Sequence, residues 1–182
     1  HRLIHRGRKF DFEMVRIERP GRKPLDREMV RHPGAVVVVA LLESPTGSAP
    51  SPPALVLIRN TRWALSGRDG RPETLWECCA GTIERDAHGQ SEDPLECARR
   101  ELIEETGYRA EQWTSLGWFF TTPGMTDERM HAFFARGLSH VGQHLEEDEA
   151  IQVHCVPVAE VWRMIDKGEL RDAKSMLAVM LA

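Results

Sequence analysis

The chain has 182 residues, close to the ~150 expected of a single domain, so one folded unit is expected rather than two. Its 41% hydrophobic and 29% charged residues suit a globular protein with a good-sized core, which excludes a disordered chain. The longest apolar run, Ala35–Leu42, is far shorter than the ~20 residues of a membrane helix, so no membrane partner is expected. The net charge of −4 says little, but its distribution says more. Residues 1–34 hold ten Lys/Arg against five Asp/Glu, leaving the remainder strongly acidic. Such a basic arm suits an anionic small molecule, a nucleic acid, or only the chain's own acidic surface. It lacks the interleaved aromatics of single-strand binders, so nucleic acid is not expected as a partner. Cys78, Cys79, Cys97 and Cys155 form no C-x-x-C pair, which fits reduced, mostly buried thiols and a cytoplasmic location. No signal peptide is visible after His1.

In chain order, Phe10, Phe12 and Met14 alternate with acids as in a half-buried strand. Pro20-Gly21 makes a turn before a second strand at Leu25–Val30. Ala35–Leu42 is β-branched and apolar on both faces, the pattern of a central strand. A loop at Ser44–Pro53 leads to its hairpin partner Ala54–Ile58, with Arg59–Leu65 continuing outward. After the loop Ser66–Thr74, a short strand is expected at Leu75–Cys79. Asp93-Pro94-Leu95-Glu96 then supplies an N-cap, a first-turn proline and an early acid, and Gly107 sits where a left-handed C-cap belongs. Strands are expected near Trp113–Thr121, Met130–Ala135 and Ile151–Val156, followed by amphipathic helices at Val158–Ile165 and Asp172–Leu181. Many strands with few, late helices suggest an α+β arrangement in which helices sandwich a mixed sheet.

The chemical signal is Arg100-Glu101-Leu102-Ile103-Glu104-Glu105-Thr106-Gly107. Glu101 and Glu105 lie one helical turn apart with Glu104 beside them, while Leu95, Ala98 and Leu102 face the core. Three carboxylates there repel one another by a few tenths of a kcal/mol per pair (~0.3) and oppose the helix dipole. A hard divalent cation bridging protein carboxylates to substrate phosphates gives them a purpose. A solvated acidic face paired with Arg99 and Arg100 is the alternative.

The wider spacing decides between them. Gly81, Glu92, then seven residues, then Arg100-Glu101-Leu102-x-Glu104-Glu105-x-Gly107-Tyr108 resembles the signature box of the Nudix hydrolase family. Ten residues rather than the family's five separate Gly81 from Glu92, so Asp86–Ser91 reads as an insertion. The resemblance implies a Nudix-like α/β/α sandwich at 35–182, with the box at about 81–108, and an N-terminal antiparallel β arm at 1–34. It also implies hydrolysis of a nucleoside diphosphate linked to another moiety, with Mg²⁺ (or Mn²⁺) as cofactor. By position, Glu101 and Glu105 are the implied metal ligands, Glu104 an auxiliary ligand with a catalytic share, and the Ala80 carbonyl a further contact. Gly81, Glu92, Arg100 and Gly107 are the implied structural residues of the box, Glu92 and Arg100 as an ion pair.

Outside the box, Pro123-Gly124 opening a loop to Glu128 resembles the ADP-ribose pyrophosphatase subfamily. So do His32–Val36, Arg59–Arg62 and Leu75–Gly81, although Asn60 stands where glutamine is common and Cys78-Cys79 replace an apolar-Pro pair. The implied reaction cleaves ADP-ribose to AMP and ribose 5-phosphate. UDP-glucose or GDP-mannose cleavage is the alternative, and a non-catalytic ADP-ribose sensor a lesser one. Glu128 is the candidate general base, on a loop able to approach bound substrate. Arg62 and Arg27 suit forked contacts to phosphate oxygens, with ordinary surface roles as the alternative. Pro123 is a candidate substrate contact, and Phe12 (or Phe10) a candidate platform for adenine, against core packing. His131 and His154 read as structural, and Glu146–Glu149 as a solvated acidic turn. The resemblance further implies a homodimer made through the N-terminal arm.

Overall fold

A computed structural model describes residues 1–43, 52–145 and 150–182. Nearly all of the expected Ser44–Pro53 loop, and the Glu146–Glu149 turn, lie outside these residues. Three antiparallel strands, β1 (Arg2–Arg6), β2 (Asp11–Ile17) and β3 (Leu25–Arg31), form a separate arm sheet in that order. β1 was not expected, because its sequence has no apolar alternation and all five of its residues are exposed. Its backbone pairing with β2 holds it in place.

The body is a six-stranded mixed sheet. Its strands are β4 (Ala35–Leu42), β5 (Ala54–Arg62), β6 (Glu73–Thr82), β7 (Tyr108–Phe120), β8 (Arg129–His140) and β9 (Ile151–Pro157), in the spatial order β7-β8-β4-β6-β5-β9. β4 runs parallel to β8 and antiparallel to β6, so it is the central strand that its double-faced apolar sequence requires. Its alternate residues divide the core in two. Val36, Val38 and Ala40 pack with Cys97, Ala98 and Leu102 of helix α1 (Pro94–Thr106). Ala35, Val37 and Val39 pack with Val161 and Met164 of α2 (Val158–Asp166) and Ala178 and Val179 of α3 (Ala173–Leu181). The result is a three-layer α/β/α sandwich within the α+β class. Among the described residues, no helix is long and apolar enough to cross a membrane.

Several strands outrun their sequence patterns. β6 begins at Glu73 rather than Leu75, β7 at Tyr108 rather than Trp113, and β8 continues to His140. Cross-strand pairing carries these ends outward, and in β7 and β8 they include Tyr108, Ala110 and Leu138, half-buried against the core but separated by polar or glycine neighbours that mask the strand signal. Beyond β5, Trp63–Leu65 form a short 3₁₀ turn.

The ends of α1 follow the residues that specify them. The Asp93 carboxylate accepts from the Leu95 and Glu96 amides, and Gly107 adopts φ 72° with its amide donating to the Ile103 carbonyl. A Cβ at Gly107 would also lie 2.9 Å from the Gln143 nitrogen, so glycine is needed twice over. The last carbonyls of α1 are satisfied from outside: Gln143 Nε2 donates to the Glu105 carbonyl at 2.6 Å, and the His144 amide to that of Glu104 at 3.0 Å. This pins the acid-bearing turn.

Candidate active site

The acidic turn of α1 borders a cleft of about 1250 Å³ between the end of the central sheet and the arm. Its lining includes Glu101, Glu104 and Glu105 with residues 80–85, and, from the arm, the β1–β2 turn Arg6 to Lys9 with Asp11 and Glu13. Arg31, His32, Asn60, Arg62 and Asp127 also line the cleft.

Each box residue has a definite task. Arg100 Nε and Nη2 donate to the two Glu92 oxygens at 3.2 and 3.0 Å, while Nη1 donates to Glu101 at 2.8 Å and Glu104 at 2.9 Å. Burial disfavours the charge on Glu92, but these bonds from Arg100 hold its carboxyl below the ordinary range. Glu105 is 3% exposed and accepts from the Ala80 amide at 3.0 Å, which ties α1 to β6. Gly81 admits Glu101: a Cβ there would fall 1.8 Å from the Glu101 carboxyl carbon. The Asp86–Ser91 insertion closes on itself, with Arg85 bridged to Ser91, and the Glu92 amide donates to the Glu84 carbonyl at 2.8 Å. Glu92 thereby reaches Arg100 despite the extra residues.

Among the described residues, no three His, Cys, Asp or Glu side chains converge into a ready cation cage. Glu101 and Glu104 turn toward Arg100, and Glu105 toward Ala80. The donor set still fits a hard divalent ion: carboxylate oxygens beside a backbone strand, with a glycine cradle kept open for one of them.

Glu128, the expected general base, does not itself line the cleft, but it adjoins two residues that do, Asp127 in the chain and His32 in space. Its Oε2 accepts from the Thr121 hydroxyl and its Oε1 lies 3.4 Å from His32 Nε2. His32 Nδ1 accepts from the Gly34 amide at 3.0 Å, which puts the ring proton on Nε2, toward Glu128. Burial lowers the His32 pKa, outweighing the charges of Glu128 and Asp127.

Three expected substrate contacts lie outside the cleft of their own chain. Phe12 alternates with Asp11 and Glu13, which line the cleft, so its ring takes the opposite face of the arm sheet. Phe10 stacks on His32 with ring centroids 4.8 Å apart. Arg27 is exposed on β3, four residues or roughly 13 Å along the strand from Arg31, which does reach the cleft. Pro123 is exposed at the tip of the β7–β8 loop, whose Asp127 faces the cleft instead. Arg62 is in place, and it is bound from behind. Its Nε and Nη2 donate to Glu77 at 2.7 and 2.6 Å, and Glu77 is 1% exposed. Sequence reasoning missed Glu77, because an acid within an apolar strand carries no signal of what pairs with it. It also missed the cleft-facing turn Arg6–Lys9, visible in sequence only as charge density.

The α/β/α sandwich and the braced carboxylate turn define a class, and the NUDIX domain matches residues 31–179. The chain belongs to this family. Over 178 residues it is 33% identical both to an ADP-ribose pyrophosphatase of Bacillus subtilis and to a methanol dehydrogenase activator of Bacillus methanolicus, covering 97% of this chain and 86% of each relative. It is 35% identical over 131 residues to a GDP-mannose pyrophosphatase of Cronobacter sakazakii, covering 68% of this chain and 63% of that one. A solved structure described as an ADP compounds hydrolase superposes with a TM-score of 0.74 at 21% identity, covering 98% of this chain and 87% of the other.

Proposed function

We propose that the protein hydrolyses ADP-ribose to AMP and ribose 5-phosphate with Mg²⁺ as cofactor. The observation that carries this reading is the Arg100-braced turn of Glu101, Glu104 and Glu105 sharing one cleft with Arg6, Arg8, Lys9 and Arg62. Glu101 and Glu105, with the Ala80 carbonyl and Glu104 as auxiliary, would hold the cation, which neutralises pyrophosphate charge and acidifies water. Mn²⁺ suits the same oxygen donors. Arg62 presents its remaining Nη1 edge to a phosphate oxygen. Glu128 takes a proton from the attacking water as one P–O bond forms and the bridging P–O bond breaks. His32 and Thr121 orient its two oxygens. The arm's exposed Leu3, Ile4 and Ile17 support pairing of that sheet with a second copy of the chain.

GDP-mannose is the competing substrate, on the strength of the relative just described. Comparing kcat/KM for ADP-ribose, UDP-glucose and GDP-mannose tests the choice. ADP-ribose should lead by about tenfold or more, equivalent to ~1.4 kcal/mol in the transition state. A tenfold preference for either sugar nucleotide would reverse the assignment.

Gly81→Ala tests the cradle. The new methyl group displaces the Glu101 carboxylate, and kcat should fall about 10- to 100-fold while the circular dichroism spectrum is unchanged. Full activity in this variant would remove Glu101 from the site.

A further inference from the structure

Behind Arg62 runs a line of charges that leaves the cleft and ends on helix α3. Glu77 Oε2, already bonded to Arg62 Nη2, accepts from Lys174 Nζ at 2.6 Å. Lys174 Nζ also donates to Asp172 at 2.9 Å. Asp172 in turn accepts from the Ser175 amide at 3.1 Å and its hydroxyl at 2.5 Å, and the Ser175 oxygen accepts from the Cys78 amide at 2.7 Å. The signs alternate from Asp172 through Lys174 and Glu77 to Arg62, the one member that lines the cleft.

We propose that Lys174 is a positioning residue for substrate binding, acting through Glu77 to set the orientation and the effective charge of Arg62. This rests on the reading of Arg62 as a phosphate contact. Its logic is electrostatic. With Arg62 alone on Glu77, the guanidinium and a buried carboxylate would cancel locally, leaving little field for an anion. Lys174 supplies a second cation, so Glu77 is shared and the cleft end of the line stays positive. It also anchors the carboxylate at Oε2, the oxygen that Arg62 Nη2 bonds. The forked Nε/Nη2 grip then fixes the guanidinium plane and turns Nη1 outward. Burial opposes the charge on Lys174, yet the nearby Glu77 and Asp172 carboxylates raise its pKa, so it stays an ammonium at neutral pH.

The test is steady-state kinetics of Lys174→Met and Lys174→Arg on whichever of ADP-ribose and GDP-mannose the wild type cleaves faster. The methionine variant should raise KM about tenfold with kcat within about threefold of wild type, and arginine should restore KM. A purely structural role would lower kcat through lost active enzyme and leave KM alone. If Lys174→Met does not fold, Lys174→Gln, which keeps a polar donor against Glu77 and Asp172 but no charge, takes its place, and the same KM rise is expected of it. A folded variant whose KM stays within twofold of wild type overturns the inference alone. A wild type inert toward both nucleotides overturns the functional reading, and this inference with it.

Discussion

Glu105→Gln is expected to lower kcat for ADP-ribose by on the order of a thousandfold, about 4 kcal/mol of transition-state stabilisation. The side chain is 3% exposed and one of its oxygens accepts from the Ala80 amide. Glutamine keeps the size and one acceptor oxygen, so the tie between α1 and β6 survives. What it loses is the charge. Release of AMP, followed across a range of Mg²⁺ concentrations, measures the loss, and the thermal midpoint should move by no more than about 2 °C, less than 1 kcal/mol of stability. Near-normal turnover at saturating metal would mean that the acidic turn is not the catalytic centre.

Glu77→Ala is expected to destabilise the fold by about 3 to 5 kcal/mol, a sizeable share of a typical domain's stability. Removing it strands the Lys174 ammonium, whose side chain is 15% exposed, with Asp172 alone, and leaves Arg62 without its fork. Urea unfolding of the two proteins measures the difference. Its pH dependence has a definite sign. Burial works against the Glu77 charge, but the Arg62 hydrogen bonds and the Lys174 ammonium hold its pKa below the ordinary 4.5. The stabilisation is therefore complete above pH 4.5 and fades as pH falls through the lower folded value. The gap between wild type and variant should narrow on acidification from pH 4.5 downward. A gap that is small at pH 7, or widens in acid, would show that the network contributes nothing net.

The box and the central strand were readable because local chemistry specifies both. Asp93, Pro94 and Gly107 mark the limits of α1 regardless of tertiary context, and Ala35–Leu42 has enough β-branched bulk to be recognised as doubly buried. The ion pair of Arg100 with Glu92 was expected only because those positions resemble the family's box. Across the cleft, sequence says much less. Whether Phe12 or its neighbours Asp11 and Glu13 face the cleft depends on which face of the arm sheet turns inward, a choice set by how β3 leads into β4. Val30 donates to the Met125 carbonyl, and Arg31 and the His32 amide both bond Asp127; these long-range contacts decide it. Lys174 is nearly a hundred residues from Glu77 in the chain, and nothing near either one announces the other.

The small ladder at 85–91 explains how Glu92 still meets Arg100 despite so conspicuous a departure from the family's spacing. Arg85 meets Ser91, and Asp86 receives the amides of His88 and Gln90, so the extra segment is self-contained and returns the backbone almost to where it left. The backbone bonds described for this stretch close within it rather than on the carboxylate turn. Its length and tip composition can drift, lengthen or acquire new contacts at the rim while the catalytic register stays fixed. Selection for a different nucleotide therefore has a place to act without touching a single glutamate.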